Sequence, residues 1–161
     1  IDDNMFRFWF RFVPENSSII ARGAADLAYK RIEPHLPDYM GKVFEEICKQ
    51  YLWRLLLNGE SPVEFKDLGR WWGTDPVTRI QTEIDIMGEQ DCETALFGEC
   101  KWTNEKVDTG VLDKLVKRSQ MFHYRKVWLY LFGKNGFTEG CRRRAEEMGN
   151  VVLVTYSDIL E

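Results

Sequence analysis

Two short runs of alternating charged and apolar residues, close together in the chain, constrain the fold most strongly. They are residues 83–88, EIDIMG, and residues 96–102, LFGECKW. Successive side chains of a β-strand point to opposite faces, so each run predicts a strand with an apolar side and a charged side. The apolar side, which includes Ile84 and Ile86, is expected against a core, and the charged side is expected in a cleft.

The polar residues between the two runs predict a tight turn and therefore an antiparallel hairpin. Pairing in register brings Asp85 close to Glu99, with Lys101 one step further along the same face. Two neighbouring carboxylates repel each other unless a cation or a proton lies between them. A hard divalent ion such as Mg²⁺ or Mn²⁺ would relieve that repulsion, and the Lys101 ammonium could orient a nucleophile or stabilise developing charge.

The composition excludes several classes of protein. A chain of 161 residues with 44% hydrophobic residues can bury the core of one ordinary domain. No apolar run approaches the ~20 residues of a membrane helix. The net charge of −4 argues against a general polyanion binder and leaves room for a local basic groove. Four cysteines without zinc-ligand spacing predict reduced, buried thiols in a cytoplasmic protein.

The first residues of the chain leave two interpretations open. Ile1 in place of methionine predicts a fragment of a longer protein. The segment NMFRFWFRFV alternates as a strand would, and it also carries a helical stripe. Pro14 is expected to end either element, with a loop over residues 15–18.

The rest of the chain predicts an α/β fold with a mixed sheet. A long helix is expected from about Asp38, as its cap, to Leu57, ended by Asn58-Gly59. Three strands of a meander, a helix, a buried strand, a polar helix and a last buried strand follow. The other predicted helices span residues 24–32, 107–122 and 138–148. The predicted strands span residues 68–73, 79–88, 95–102, 126–132 and 151–155.

Two adjacent glutamates lie in the long helix, within GKVFEEIC. Glu45 and Glu46 point about 100° apart on a helix, so only one of them can face a given cleft. Position alone favours a solvated surface role for Glu46 and leaves Glu45 undecided.

The order of these motifs resembles the PD-(D/E)XK nuclease superfamily, which has the restriction-endonuclease-like fold. A helix with G-x-x-F-E is followed by a strand ending in aspartate, a strand with E-x-K, a helix and a strand. FRFWFRFV, YMGKVFEEIC, EIDIMG and GECKW more narrowly resemble the C-terminal nuclease-like domain of archaeal-type DEXX-box P-loop ATPases. The resemblance implies a three-layer fold over residues 35–161, a central mixed sheet flanked by helices, and an N-terminal helical extension over residues 1–34.

The resemblance also implies roles for the matching residues. Asp85 would be the principal metal ligand, and Glu99 would be the second carboxylate ligand. The backbone carbonyl of Cys100 would be a third ligand, and Glu45 would approach the metal from the helix, directly or through water. Lys101 would hold or polarise the attacking water. Ile84 stands where the superfamily has proline, a position that varies widely within it.

The implied activity is metal-dependent hydrolysis of phosphodiester bonds in nucleic acid, expected to be DNA, with Mg²⁺ or Mn²⁺ as cofactor. The chain has no G-x-x-x-x-G-K-[ST] loop, so it cannot itself be the ATPase part. The resemblance implies that a P-loop ATPase domain precedes it in the full protein. An oligomer is compatible with the sequence. The alternative is a non-cleaving module that binds DNA or protein and regulates that ATPase, for which the acidic net charge speaks.

Several other residues have both a functional and a structural interpretation. A set of cations could bind phosphate or form an ordinary solvated surface, and three tryptophans could stack bases or pack in the core, with Trp102 the one to test. The cations are Lys114, Lys117, Arg118, Arg125 and Lys126, and the other tryptophans are Trp71 and Trp72. Gln120 and Tyr124 would share a helix face only if the helix reached Tyr124, which is not expected.

Overall fold

The structure, a computed structural model, describes residues 3–76 and 78–161. It divides into two compact units, residues 1–43 and residues 44–161, and the division falls within helix α3. The predicted domain boundary after residue 34 stays a prediction. The helices are α1 (Asn4–Ala21), α2 (Ala25–Ile32), α3 (Leu36–Leu57), α4 (Thr109–Ser119), α5 (Glu139–Met148) and α6 (Tyr156–Leu160). The strands are β1 (Gly69–Thr74), β2 (Gln81–Glu89), β3 (Thr94–Lys101), β4 (Lys126–Gly133) and β5 (Val151–Thr155).

The first unit shows that the opening segment is a helix and that Pro14 does not end it. The side chain of Asp3 caps α1 by accepting hydrogen bonds from the amides of Met5 and Phe6. Pro14 lies inside α1, where a proline costs about 3 kcal/mol. Aromatic packing of Phe8 and Phe12, whose ring centroids are 5.1 Å apart, helps to offset that cost. The predicted loop over residues 15–18 is therefore wrong.

The predicted long helix begins earlier than expected. Helix α3 starts at Leu36, directly after a 3₁₀ turn over residues 33–35, so Asp38 lies in the first turn and is not the cap. Its end agrees with the prediction, because Gly59 has a φ of 73° and its amide donates to the carbonyl oxygen of Leu56.

In the second unit, five strands form one mixed sheet in the order β1-β2-β3-β4-β5. The first three strands pair antiparallel as a meander, and β3, β4 and β5 pair parallel. The meander and both buried strands were predicted from the alternation and the apolar runs, and their bounds agree within about two residues.

Helices cover both faces of this sheet, which confirms the predicted α/β three-layer arrangement. On one face, Phe44, Cys48 and Leu52 of α3 pack with Leu96 and Phe132, among others. On the other face, α4 and α5 cover the alternate residues of the same strands. Those residues are Ala95 and Phe97 of β3 and Leu129 and Leu131 of β4, with Leu112 and Leu115 of α4 and Cys141 and Ala145 of α5 packed on them.

An irregularity in β2 breaks the simple alternation that the sequence predicts. The register between β1 and β2 shifts by one residue between the Gly69–Met87 pair and the Trp71–Ile84 pair, as at a β-bulge. Ile84 consequently packs on the α4 side of the sheet, whereas Ile86 packs on the α3 side. The prediction that both isoleucines share one apolar face is wrong.

In the described part of the chain, none of the helices is both long enough and apolar enough to span a bilayer.

Candidate active site

The β2–β3 hairpin brings the two predicted carboxylates together at the end remote from its turn. The paired ladder ends at Ile86 and Gly98, and Asp85 and Glu99 are the next residues of the two strands beyond that pair. Beyond the ladder, the Asp85 carboxylate replaces a strand carbonyl, since its Oδ2 accepts a hydrogen bond of 2.9 Å from the amide of Cys100. Asp85 is only 7% exposed and Glu99 only 5% exposed. Both charges are therefore largely removed from water.

Two cations hold Glu99, one on each carboxylate oxygen. Lys101 Nζ lies 2.6 Å from Glu99 Oε1, and Arg118 of α4 places Nη1 2.9 Å from Glu99 Oε2. Glu99 is thus well compensated, as a buried carboxylate must be. The structure brings together Asp85, Glu99 and Lys101 as the sequence predicted, and it adds Arg118.

Glu45 of α3 lies near Asp85 and interacts with its charge. Burial and then the negative charge of Asp85 raise the pKa of Glu45, while Arg70 of β1 opposes the shift. Arg70 Nη2 pairs with Glu83 Oε2 at 2.7 Å, so Glu83 is engaged at the surface. Glu46 pairs with Lys49 one turn further along α3, in agreement with its predicted surface role.

The electrostatics of the site differ between the aspartate and the lysine. Burial and then the Glu99 charge raise the pKa of Asp85, and the Cys100 amide and Lys101 only partly offset this. Burial alone would lower the pKa of Lys101, but Glu99 and Asp85 together raise it. Lys101 is therefore a stable ammonium ion at neutral pH, suited to hold a water or an anionic oxygen rather than to accept a proton.

The donor chemistry of this cluster suits a hard divalent cation. Carboxylate oxygens are the ligands that Mg²⁺ and Mn²⁺ prefer, and a cation would offset the burial and the Glu99 repulsion that raise the pKa of Asp85. Across residues 3–76 and 78–161, no three histidine, cysteine or acidic side chains are already gathered as a metal-binding set. Glu99 in particular would have to share an oxygen now paired with Lys101 or Arg118.

The sequence comparison identifies a family whose match covers the positions of all the predicted site residues. The model of the family DUF234, described as "Archaea bacterial proteins of unknown function", matches residues 9–112. The chain belongs to the DUF234 family. The match spans Glu45, Asp85, Glu99 and Lys101, and it ends before Arg118.

This DUF234 chain is similar to one curated relative and to two solved structures. Uncharacterized protein MJECL04 of Methanocaldococcus jannaschii is 32% identical over 98% of the chain, which spans about a third (34%) of that protein. The MspJI restriction endonuclease in complex with a 27-mer oligonucleotide has a TM-score of 0.45 and 12% identity, covering 84% of this chain and 30% of MspJI. AF1548, a protein of unknown function, has a TM-score of 0.40 and 23% identity over 69% of this chain and 59% of its own.

Two arginines of the candidate site were not predicted as site residues from the sequence. Arg118 appeared there only as part of a cationic surface, and Arg70 did not appear at all. Arg118 follows the buried Leu115 by three residues and precedes the buried Ser119, so it lies beside the sheet-facing stripe of α4. That position is a usable signal for Arg118. Arg70 lies on an exposed edge strand and offers no comparable pattern.

The predicted set of cations divides between two ends of the sheet. Lys114, Lys117 and Arg118 lie on α4, and Arg118 reaches Glu99. Lys126 begins β4 beside Thr94, seven residues from the Lys101–Gly133 pair, which corresponds to roughly 23 Å along the strands. Arg125 and Lys126 are therefore remote from the carboxylates.

The aromatic candidates also separate. Trp102 packs against Phe44 and Tyr156, with ring centroids 5.1 and 5.4 Å away, so it is half-buried against the core. Helix α4 ends at Ser119 and its 3₁₀ extension at Phe122, so the helix does not reach Tyr124, as expected. The Tyr124 hydroxyl instead donates to Glu89 near the turn of the hairpin.

Proposed function

We propose that this DUF234 chain is a divalent-metal-dependent nuclease with a restriction-endonuclease-like fold, which hydrolyses phosphodiester bonds of DNA. One observation carries the proposal: two buried carboxylates, Asp85 and Glu99, meet across the open end of a hairpin with a charged lysine hydrogen-bonded to one of them. Buried like charges cost stability, and their persistence beside a cation is typical of catalytic sites.

Each residue has a distinct task in this proposal. Asp85 and Glu99, with the carbonyl of Cys100 and with Glu45 directly or through water, would hold Mg²⁺ or Mn²⁺. Such an ion lowers the pKa of water and offsets negative charge on phosphate. Lys101 positions the attacking water and stabilises charge on the phosphoryl oxygens. Arg118 orients the Glu99 carboxylate through its 2.9 Å ion pair.

The setting of the domain is a further part of the proposal. We infer that the complete protein carries a P-loop ATPase domain before this chain and acts in the cytoplasm. The chain spans only 34% of its Methanocaldococcus relative, which leaves room for such a domain. All four cysteines are free thiols, which agrees with a reducing compartment, but Cys92 is exposed and not buried as predicted.

A second function, a non-cleaving DNA- or protein-binding module that regulates the ATPase, is favoured by one observation. Both oxygens of Glu99 are already neutralised by Lys101 and Arg118. A site that had lost its metal would be stabilised in this way, and Glu99 would then serve structure rather than chemistry.

Cleavage of end-labelled linear, single-stranded and branched DNA with Mn²⁺ separates the two functions. We expect the parent chain to cut, and Glu99→Ala and Lys101→Ala to lower the rate by about 100-fold or more each. Glu89→Gln is the matched control, because it removes a carboxylate charge from the other end of the same hairpin.

The outcomes are distinct. If the parent and Glu89→Gln cut DNA but Glu99→Ala and Lys101→Ala do not, the result supports a nuclease at this site. Cutting that survives in Glu99→Ala and Lys101→Ala contradicts the assignment of the site. The absence of cutting by any variant, together with tight DNA binding, favours the regulatory module.

A further inference from the structure

A groove with an exposed indole and three cations lies next to the candidate active site. It consists of two adjoining cavities of about 390 and 240 Å³, which share Gln81, Thr82 and Arg118 as lining residues. Trp72 lines the first cavity, and Lys114 and Lys117 line the second. Because Arg118 also pairs with Glu99, the groove leads to the carboxylates.

Trp72 differs from the other two tryptophans near the site in having its ring in solvent. It is 80% exposed, on the edge strand β1, opposite Glu83. Its neighbour Trp71 packs against Phe122, with ring centroids 4.9 Å apart. An exposed indole at the rim of a cationic groove offers a flat face on which a nucleobase can stack.

The charges of the groove favour an anionic ligand. Lys114 and Lys117 lie three residues apart on one side of α4, and both are exposed. Two carboxylates also line the groove, and both are engaged: Glu83 pairs with Arg70 at 2.7 Å, and Asp75 accepts a hydrogen bond from the amide of Thr78. The two lysines therefore present positive charge to a chain of phosphates.

We propose that this groove binds an unpaired polynucleotide strand, with a base stacked on Trp72 and its phosphates on Lys114 and Lys117. In a duplex, neighbouring bases cover the faces of each base, so stacking on a side chain requires a single strand or an unpaired region. The inference rests on the proposed function and specifies its substrate class. A strand held here would reach the carboxylates beside Arg118.

Binding measured without divalent ions tests the groove independently of cleavage. A labelled single strand of about 20 nucleotides and its blunt duplex are titrated in EDTA, with fluorescence anisotropy as the readout. We expect the parent to prefer the single strand and Trp72→Ala to lower its affinity on the order of 10-fold. Trp72→Phe should keep most of the parental affinity for the single strand. Trp9→Ala, which changes a tryptophan that is 54% exposed on α1, should leave that affinity unchanged.

The salt dependence separates stacking from charge. Lys117→Ala should reduce the slope of log affinity against log salt concentration by about 0.7, the value for one phosphate contact on a single strand. Trp72→Ala should leave that slope unchanged, and Lys126→Ala, at the other end of the sheet, should leave both slope and affinity unchanged.

Several results would overturn the inference. They are equal binding of single strand and duplex, no binding of either, or parental affinity in Trp72→Ala. The same holds if Trp72→Ala alters only the oligomeric state in size-exclusion chromatography, since a second copy would then cover the indole. If the parent and Trp72→Ala cleave DNA equally well, the proposed binding groove is refuted and the nuclease proposal is not. If binding depends on Trp72 but no Mn²⁺-dependent cleavage occurs, the nuclease proposal is refuted and the binding groove is not.

Discussion

The two ends of the β2–β3 hairpin differ in what they do with negative charge. The turn end borders the larger space, a cavity of about 780 Å³ lined by Trp71, Phe122 and Tyr124 among others. The open end has smaller cavities beside it but contains the buried Asp85 and Glu99. Volume and chemistry therefore lie apart in this molecule. Desolvated charge, which costs stability, is the better indicator of a reactive site.

Two aspartates show this contrast, because their pKa values are shifted in opposite directions. At the turn, hydrogen bonds from the amide of Glu93 and then of Thr94 lower the pKa of Asp91, so the fold stabilises its charge. At the open end, burial and then Glu99 raise the pKa of Asp85, so the fold destabilises its charge. Asp91 completes a turn, whereas Asp85 retains a charge that an external cation can stabilise.

The largest expected effect is on metal-linked stability. Without divalent ions, Asp85→Asn should raise the free energy of unfolding by about 1 kcal/mol, because it removes repulsion with Glu99 and its Oδ1 can still accept from Cys100. Asp91→Asn should lower that free energy. With Mn²⁺ at about 100 times its Kd, the parent and Asp91→Asn should gain about 2.7 kcal/mol and Asp85→Asn should gain nothing.

Urea denaturation with and without Mn²⁺ measures all six conditions. An equal Mn²⁺ response in Asp85→Asn and the parent would place the metal elsewhere and remove the distinction between the two ends.

A pH series in EDTA should separate the two aspartates by the sign of their effect. A carboxyl whose folded pKa is raised contributes stability below its unfolded pKa and loses it as pH rises through the folded pKa. The advantage of Asp85→Asn over the parent should therefore grow between about pH 4 and pH 7. The raised pKa of Glu45 destabilises both proteins over that interval, because burial is its largest cause.

Asp91 should behave in the opposite way. Its lowered pKa contributes stability above the unfolded value, and that contribution is lost as pH falls through the folded value. The difference between the parent and Asp91→Asn should therefore vanish in acid. Parallel pH profiles for the two variants would show that the hairpin treats both charges alike.

Much of the open end could be predicted from the sequence because it depends on local pattern. Alternation and a short turn predicted the hairpin and the proximity of Asp85 to Glu99, and Asp85 does accept a hydrogen bond from the amide that follows Glu99. The roles of these residues in catalysis stay predictions. The shift in β2 could not be predicted, because period-2 reasoning assumes an unbroken ladder and Ile84 and Ile86 fit that assumption equally well.

Contacts between elements that lie far apart in the chain could not be predicted from the sequence either. The pairing of Arg118 with Glu99 depends on how α4 crosses the sheet, which residue spacing within α4 does not determine. Pro14 misled for a related reason: its local cost predicts the end of a helix, but the tertiary packing of Phe8 and Phe12 with Tyr39 in the same unit supports the helix through it.

The smallest expected effect tests whether the larger cavity belongs to the site at all. Tyr124→Phe removes the hydroxyl that donates to Glu89 and leaves the aromatic packing with Phe97 and Phe122 in place. Because this hydrogen bond is exposed, its loss should cost about 0.5 kcal/mol of unfolding free energy, and Mn²⁺ stabilisation and DNA cleavage should equal those of the parent. If cleavage instead fell by 10-fold or more while stability changed by no more than this, the turn-end cavity would be part of the substrate path, and buried charge alone would no longer mark the limits of the site.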